Sequence, residues 1–246
     1  MSTSAVPGIV YLVGAGPGDP ELLTLRALHL LQTADVILPD DLVSDVVLAL
    51  ASPSALVIPV GKRCGQPRIT QAGIHELMLE HASAGRSVVR LKSGDPLVFG
   101  RAGEEIAALT DANIPFEIVP GITAAFAVAA RLKTPLTDRG SASKLIFATA
   151  HHASLRPDAP ARLELTPNWE GEFPTDATLV IYMPGRRFRL LADQLIASGI
   201  APQTPCVAVS KASTPEEQVH RTTLAALDDG AVGPAPVLML VGNAIR

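Results

Sequence analysis

Val10-Tyr11-Leu12-Val13-Gly14-Ala15-Gly16-Pro17-Gly18-Asp19-Pro20 is an apolar run that breaks into a turn rich in glycine and proline. A short apolar run bounded by turn residues reads as a strand buried on both faces, here residues 9–13. Leucine at every third position, Leu22, Leu25, Leu28 and Leu31, then predicts a helix. Its start has two candidate caps: Asp19 with Pro20 at the first position, or Thr24 after a tight turn. Strand, glycine turn and helix form the opening unit of an α/β sheet.

The same alternation continues outward. Strands are expected at residues 36–38, 56–60, 88–91 and 116–119, and helices at 44–51, 70–84 (capped by Thr70) and 104–111. This predicts a mainly parallel sheet covered on both faces. Past Gly121 the texture changes. A small-residue helix is expected at 122–132, strands at 144–149, 178–182, 206–209, 219–222 and 237–241, and a helix at 188–198. Residues 151–176 are rich in proline and without periodicity, which suits a surface excursion. The fold class is therefore α/β, with two α/β domains, 1–121 and 122–246. Gly-Asp-Pro occurs twice, at residues 18–20 and 94–96, each time after a strand. Two such turns at neighbouring strand ends face the crevice where open α/β sheets bind ligands.

Of the 246 residues, 48% are hydrophobic and 18% charged, which argues for a folded chain with a real core. The net charge is −4, without a basic block interleaved with aromatic residues, so no nucleic-acid partner is expected. The longest near-apolar stretch, residues 121–130, is far short of the roughly 18 needed to cross a bilayer. Residues 1–8 lack the features of a secretory signal, and only Cys64 and Cys206 occur. These features predict a soluble cytoplasmic protein with no membrane partner, no disulfide framework and no metal site. The pair His151-His152 has no suitably spaced carboxylate or cysteine partner, and neighbours on a strand point opposite ways.

The glycine turn excludes two nucleotide-binding readings. The dinucleotide pattern G-x-G-x-x-G/A fits Gly14 and Gly16 but meets Asp19 at its third position, where a carboxylate repels a pyrophosphate. No Gly-Lys-Ser/Thr follows, so it is not a P-loop. A neutral or cationic nucleoside suits this turn better. Taken alone, Gly14-Ala15-Gly16 reads as a plain strand-to-helix turn.

Five segments decide between these readings: residues 10–20, residues 40–44, Gly61-Lys62-Arg63, residues 90–101 (Arg90-Leu91-Lys92-Ser93-Gly94-Asp95-Pro96 through Phe99-Gly100-Arg101), and Val119-Pro120-Gly121-Ile122-Thr123-Ala124. In this order they resemble the tetrapyrrole methylases, and among them the stand-alone uroporphyrinogen-III C-methyltransferases. The resemblance implies a homodimer of two-domain chains with the active site in the cleft between the domains. It implies S-adenosyl-L-methionine as cofactor and S-adenosyl-L-homocysteine as product. The implied substrate is uroporphyrinogen III, methylated at carbons 2 and 7 to precorrin-2, the branch point to sirohaem and cobalamin. Carried over by motif, the cofactor contacts fall on Pro17, Ser93, Gly94, Asp95, Val98, Thr123, Ala124, Met183 and Ala212. The proton acceptor falls on Asp40 and the proton donor on Lys62. The chain departs from the family pattern at Pro39, Asp41, Ser93, Asp138, Pro184 and residues 211–213, more in its second half than in its first.

The chemistry is consistent with these assignments. Methyl transfer from a sulfonium needs positioning more than activation, and the methylated ring must then lose a proton. A carboxylate partly removed from water suits the base, and Asp41 adds a like charge if both side chains face inward. The plain alternative for Asp40 is a turn or helix cap. For Asp95 it is a turn before Pro96, and for Met183 core packing. A substrate with eight carboxylates calls for cations. Arg101, Arg139, Arg186, Arg187 and Arg189 are candidates, though most of them more readily read as solvated surface residues. A sister methylase acting on a later precorrin is the nearest competing reading, and Gly61-Lys62-Arg63 and Phe99-Gly100-Arg101 speak against it. A cofactor-binding module without turnover is countered by the intact Asp40, Lys62 and Asp95.

Overall fold

A computed structural model describes residues 4–61, 69–150 and 173–245. The chain divides into two compact units, Met1–Ala124 and Ala125–Arg246.

In the first unit, β1 (Val10–Gly14), β2 (Val36–Pro39), β3 (Leu56–Val57), β4 (Val88–Lys92) and β5 (Phe116–Val119) form a sheet in the order β3-β2-β4-β1-β5. Every pairing is parallel, so the carboxyl ends of all its strands lie along one edge. β1 is buried along its whole length because the sheet is covered twice. Tyr11, Val13, Ile37, Val89 and Leu91 pack on α1 (Leu25–Thr33) and α2 (Asp45–Leu48). Val10, Leu12, Val36, Leu38 and Val88 pack on α3 (Gln71–Ser83) and α4 (Ala102–Asp111).

Both candidate caps of the first helix are used. Asp19 Oδ1 accepts the Glu21 N–H at 2.9 Å and caps a single 3₁₀ turn, Pro20–Leu22. Thr24 Oγ1 then accepts the Ala27 N–H at 3.1 Å and starts α1. The buried face of α1 is not the leucine stripe that the spacing predicts. Leu22 belongs to the preceding turn and Leu25 is exposed, while Ala27, Leu30 and Leu31 face the core. A 3.6-residue period started at Leu25 selects that face. Thr70 caps α3 as expected, taking the Gly73 N–H at 3.1 Å.

In the second unit, α5 (Ala124–Leu132) leads to a sheet of β6 (Lys144–Thr149), β7 (Ala177–Tyr182), β8 (Pro205–Ser210), β9 (Gln218–Thr223) and β10 (Val237–Val241) in the order β6-β7-β10-β8-β9. Only β6 and β7 are parallel; the other three pairings are antiparallel. β8 runs into β9 without an intervening helix, and only antiparallel neighbours accept so short a connection. α6 (Phe188–Ala197) buries Phe188, Leu191 and Leu195 against Leu179, Ile181, Met239 and Val241.

Cys206 lies in this core, and burial pushes its thiol up to about 12. The thiolate is the reactive form, so iodoacetamide at pH 8 is expected to leave Cys206 unmodified in the native protein and to alkylate it in urea. Peptide mapping by mass spectrometry reads this; ready labelling without urea would mean that β8 is not packed.

Candidate active site

The carboxyl edge of the first sheet is built from glycine backbone. Gly16 N–H donates to the Gly94 carbonyl at 3.1 Å, and Gly94 N–H to the Gly16 carbonyl at 2.7 Å. Both residues have φ of +68°, a conformation glycine adopts without steric cost. The loops after β1 and β4 are thereby zipped together. The loop after β5 closes on both. A Cβ on Gly14 would lie 2.6 Å from the Gly121 Cα, and one on Gly121 only 2.2 Å from the Gly94 carbonyl oxygen. Asp95 pins this junction. Its Oδ2 accepts the Gly121 N–H at 3.0 Å and its Oδ1 the Leu97 N–H at 2.8 Å.

The two Gly-Asp-Pro turns thus share one device, a carboxylate accepting the N–H two residues on. Asp95 adds the bond to the third loop. Asp19 places its carboxylate at the start of the helical segment, where a dinucleotide site would hold its phosphate.

The structure brings Gly94, Asp95, Thr123 and Ala124 together. A Cβ on Gly94 would sit 3.8 Å from the Thr123 Cα and 3.9 Å from the Ala124 nitrogen. Thr123 is buried, while Pro17, Ser93 and Val98 are half-buried on the loops of the same edge. Met183 and Ala212 belong to the second unit, in the loops after β7 and β8. Tyr182 pairs with Leu238 and Ser210 with Val237, so these two strands end at one edge of their sheet. Met183 is 46% exposed and has φ of +50°, so it is not core packing. Lys211 and Ser213, on either side of Ala212, also have positive φ. Left-handed backbone at side-chain-bearing residues is costly and concentrates at functional loops.

Asp40 stands at the end of β2, on the same edge as the glycine junction. Ser44 Oγ donates to the Gly18 carbonyl at 2.7 Å and docks this segment on the first loop. Asp40 and Asp41 do not form an inward carboxylate pair. Asp41 is exposed, and the partner of Asp40 is a cation: Arg90 Nη2 lies 2.5 Å from its Oδ1. The reason is geometric, since a strand end turns successive side chains in different directions. Gly61 packs against Asp41; a Cβ there would fall 2.3 Å from the Asp41 nitrogen. Lys62, with Arg63, Cys64 and Arg68, lies outside the described residues, as do His151 and His152.

Sequence reasoning missed what stands behind Asp40. Arg90 and Lys92 point to one face of β4, and each is 2% exposed. Between them lies Glu105 of α4, fully buried. Arg90 Nε reaches Glu105 Oε1 at 2.8 Å, and Lys92 Nζ reaches Oε2 at 2.8 Å. Arg90 Nη1 donates to the Leu38 carbonyl at 3.0 Å. Burial alone would lower the Arg90 pKa, but the Asp40 and Glu105 carboxylates raise it above the ordinary arginine value. The Lys92 ammonium is shifted down, by burial first and then by the Arg90 charge. The available signal was the pattern Val88-Val89-Arg90-Leu91-Lys92. It sets two cations on one face of a buried strand, which demands buried anions nearby.

The other arginine candidates lie at the surface: Arg139, Arg186, Arg187 and Arg189 are exposed, and Arg101 pairs with Glu104 at 2.6 Å. Among the described residues no group of three His, Cys, Asp or Glu is placed to hold a metal ion, and no helix is long and apolar enough to cross a membrane.

Residues 9–228 match the family described as Tetrapyrrole (Corrin/Porphyrin) Methylases. The chain is 47% identical over 240 residues to the uroporphyrinogen-III C-methyltransferase of Paracoccus denitrificans, covering 96% of this chain and 81% of that one. It is 45% identical over 246 residues to the chloroplastic S-adenosyl-L-methionine-dependent uroporphyrinogen III methyltransferase of Arabidopsis thaliana, spanning 98% of this chain but 64% of that protein. The uroporphyrin-III C-methyl transferase of Thermus thermophilus, solved with S-adenyl homocysteine, superposes with a TM-score of 0.78 at 40% identity over 96% of this chain and 98% of that one. The chain is a member of the tetrapyrrole methylase family.

Proposed function

We propose that this protein is an S-adenosylmethionine-dependent C-methyltransferase that converts uroporphyrinogen III to precorrin-2 by methylating carbons 2 and 7. The observation that carries the reading is the edge where Asp40, held by a buried arginine, stands on the same row of strand ends as the glycine junction. The similarity to the Paracoccus and Thermus proteins supports the choice of substrate.

The residues fit the cofactor. Pro17, Ser93, Gly94, Asp95, Val98, Thr123 and Ala124 offer backbone, small side chains and one carboxylate, with no cation among them. Such a set accepts a positively charged sulfonium nucleoside and disfavours a polyphosphate. Met183 and Ala212 are proposed as further contacts from the second unit. When bound, S-adenosylmethionine supplies an electrophilic methyl group, and S-adenosylhomocysteine is left as the carbon–sulfur bond breaks and the new carbon–carbon bond forms. Asp40 then takes the proton that the methylated ring sheds. Lys62 is the proposed proton donor. The eight carboxylates of the substrate call for cations at the rim, for which exposed Arg101, Arg139, Arg186 and Arg187 are candidates. A homodimer and a cytoplasmic location are proposed on the family resemblance; light scattering is expected to give twice the chain mass, and a monomer would refute the dimer.

The test is incubation with methyl-labelled S-adenosylmethionine and uroporphyrinogen III under anaerobic conditions, read by mass spectrometry. Two labelled methyl groups per macrocycle are expected. An unlabelled macrocycle, or label accepted only by a ring that already carries methyl groups, overturns the substrate assignment.

A further inference from the structure

We infer that Arg90 and Glu105 are positioning residues for the proton transfer: Glu105 fixes the arginine, and the arginine turns Asp40 so that Oδ2 is the oxygen that accepts the proton. This rests on the proposed role of Asp40 as base and deepens it.

Arg90 has no freedom to reorient. Its Nε is bound to Glu105 at 2.8 Å, its Nη1 to the Leu38 carbonyl at 3.0 Å and its Nη2 to Asp40 at 2.5 Å. A guanidinium is a rigid planar fork, so three acceptors in three directions fix its plane. Glu105 is fixed in turn. Lys92 Nζ donates to Oε1 at 3.0 Å and lies 2.8 Å from Oε2 as an ion-pair contact without a hydrogen bond, so Oε1, which also accepts from Arg90 Nε, carries the hydrogen bonds from β4. The chain of contacts is dry at one end and open at the other. Glu105 is fully buried and Arg90 2% exposed, whereas the Asp40 side chain is 33% exposed.

Among the described residues, Oδ1 of Asp40 accepts from Arg90 and no hydrogen bond falls on Oδ2. A carboxylate that is 33% exposed and held through one oxygen leaves its other oxygen to accept a proton from a ligand, as a positioned base requires. If the cluster served stability alone, nothing would require its outer member to be half-exposed. Buried ion pairs are often replaceable by apolar side chains at no cost in stability.

A double-mutant cycle on kcat tests the inference, with Asp40→Asn, Arg90→Lys and the pair together. Arg90→Lys keeps the charge and loses the fork. It is expected to lower kcat about 10- to 100-fold, as loss of an orienting partner does, with KM for S-adenosylmethionine and the circular dichroism spectrum unchanged. Asp40→Asn is expected to lower kcat by about 10²–10⁴. The double variant is then no slower than Asp40→Asn alone, because the arginine acts through the aspartate. If the two losses multiply, or if Arg90→Lys turns over like wild type, the positioning role is wrong while the base stands. If Asp40→Asn turns over like wild type, the base assignment fails and the inference with it. Should Arg90→Lys not fold, Glu105→Gln, which keeps shape and hydrogen bonding, enters the same cycle with the same expected non-additivity.

Discussion

Replacing Glu105 with alanine is expected to destabilise the protein by about 3–5 kcal/mol, since it leaves buried charges without a partner. The side chain is fully buried and faces two cations that are each 2% exposed. Once it is gone, Lys92 has no ion-pair partner among the described residues, and of its two carboxylates Arg90 keeps the half-exposed Asp40. Typical domains are stable by about 5–15 kcal/mol, so much of that margin disappears. Urea denaturation reads the loss as a lower midpoint; a midpoint equal to wild type would mean that the three side chains do not form the cluster. Glu105→Gln retains hydrogen-bonding atoms and is expected to cost less. A variant that converts Arg90, Lys92 and Glu105 together to Leu, Met and Leu removes every uncompensated charge but one. It is expected to recover most of the lost stability and none of the turnover, which separates the cluster's part in folding from its part in positioning Asp40.

Asp40→Asn is expected to leave folding and S-adenosylhomocysteine affinity near wild type while turnover falls by about 10²–10⁴, the usual contribution of a general base. Asparagine keeps the shape and can still accept from Arg90 through its carbonyl oxygen, but it cannot take up the ring proton. Alanine is the poorer probe, because it also strips Arg90 of a partner. Isothermal titration with S-adenosylhomocysteine and a single-turnover assay measure the two quantities separately. Lost affinity with retained chemistry would place Asp40 in cofactor binding instead.

Much of the first unit was legible because its signals are local. The Val10–Gly14 run, the Thr70 cap and the paired Gly-Asp-Pro turns each act within a few residues. The α1 stripe misled because Asp19 and Thr24 both cap, so the leucine spacing ran across two separate helical segments. Strand order in the second sheet was not legible. The insertion of β10 between β7 and β8 is decided by packing among residues far apart in sequence. The same limit hid the core of the site. Gly121 was visible as a motif glycine, but not that a Cβ on it would strike the Gly94 carbonyl. Asp40 was visible as a candidate base, but its environment was misjudged: the charge beside it is Arg90, fifty positions away.

A crystal structure of the protein with S-adenosylhomocysteine is the most direct check. The ligand is expected against the junction of Gly94, Asp95, Thr123 and Ala124, with Asp40 at the end of β2 on the same edge. A thioether bound remote from Asp95, or a nucleoside diphosphate preferred at that junction, would overturn the reading.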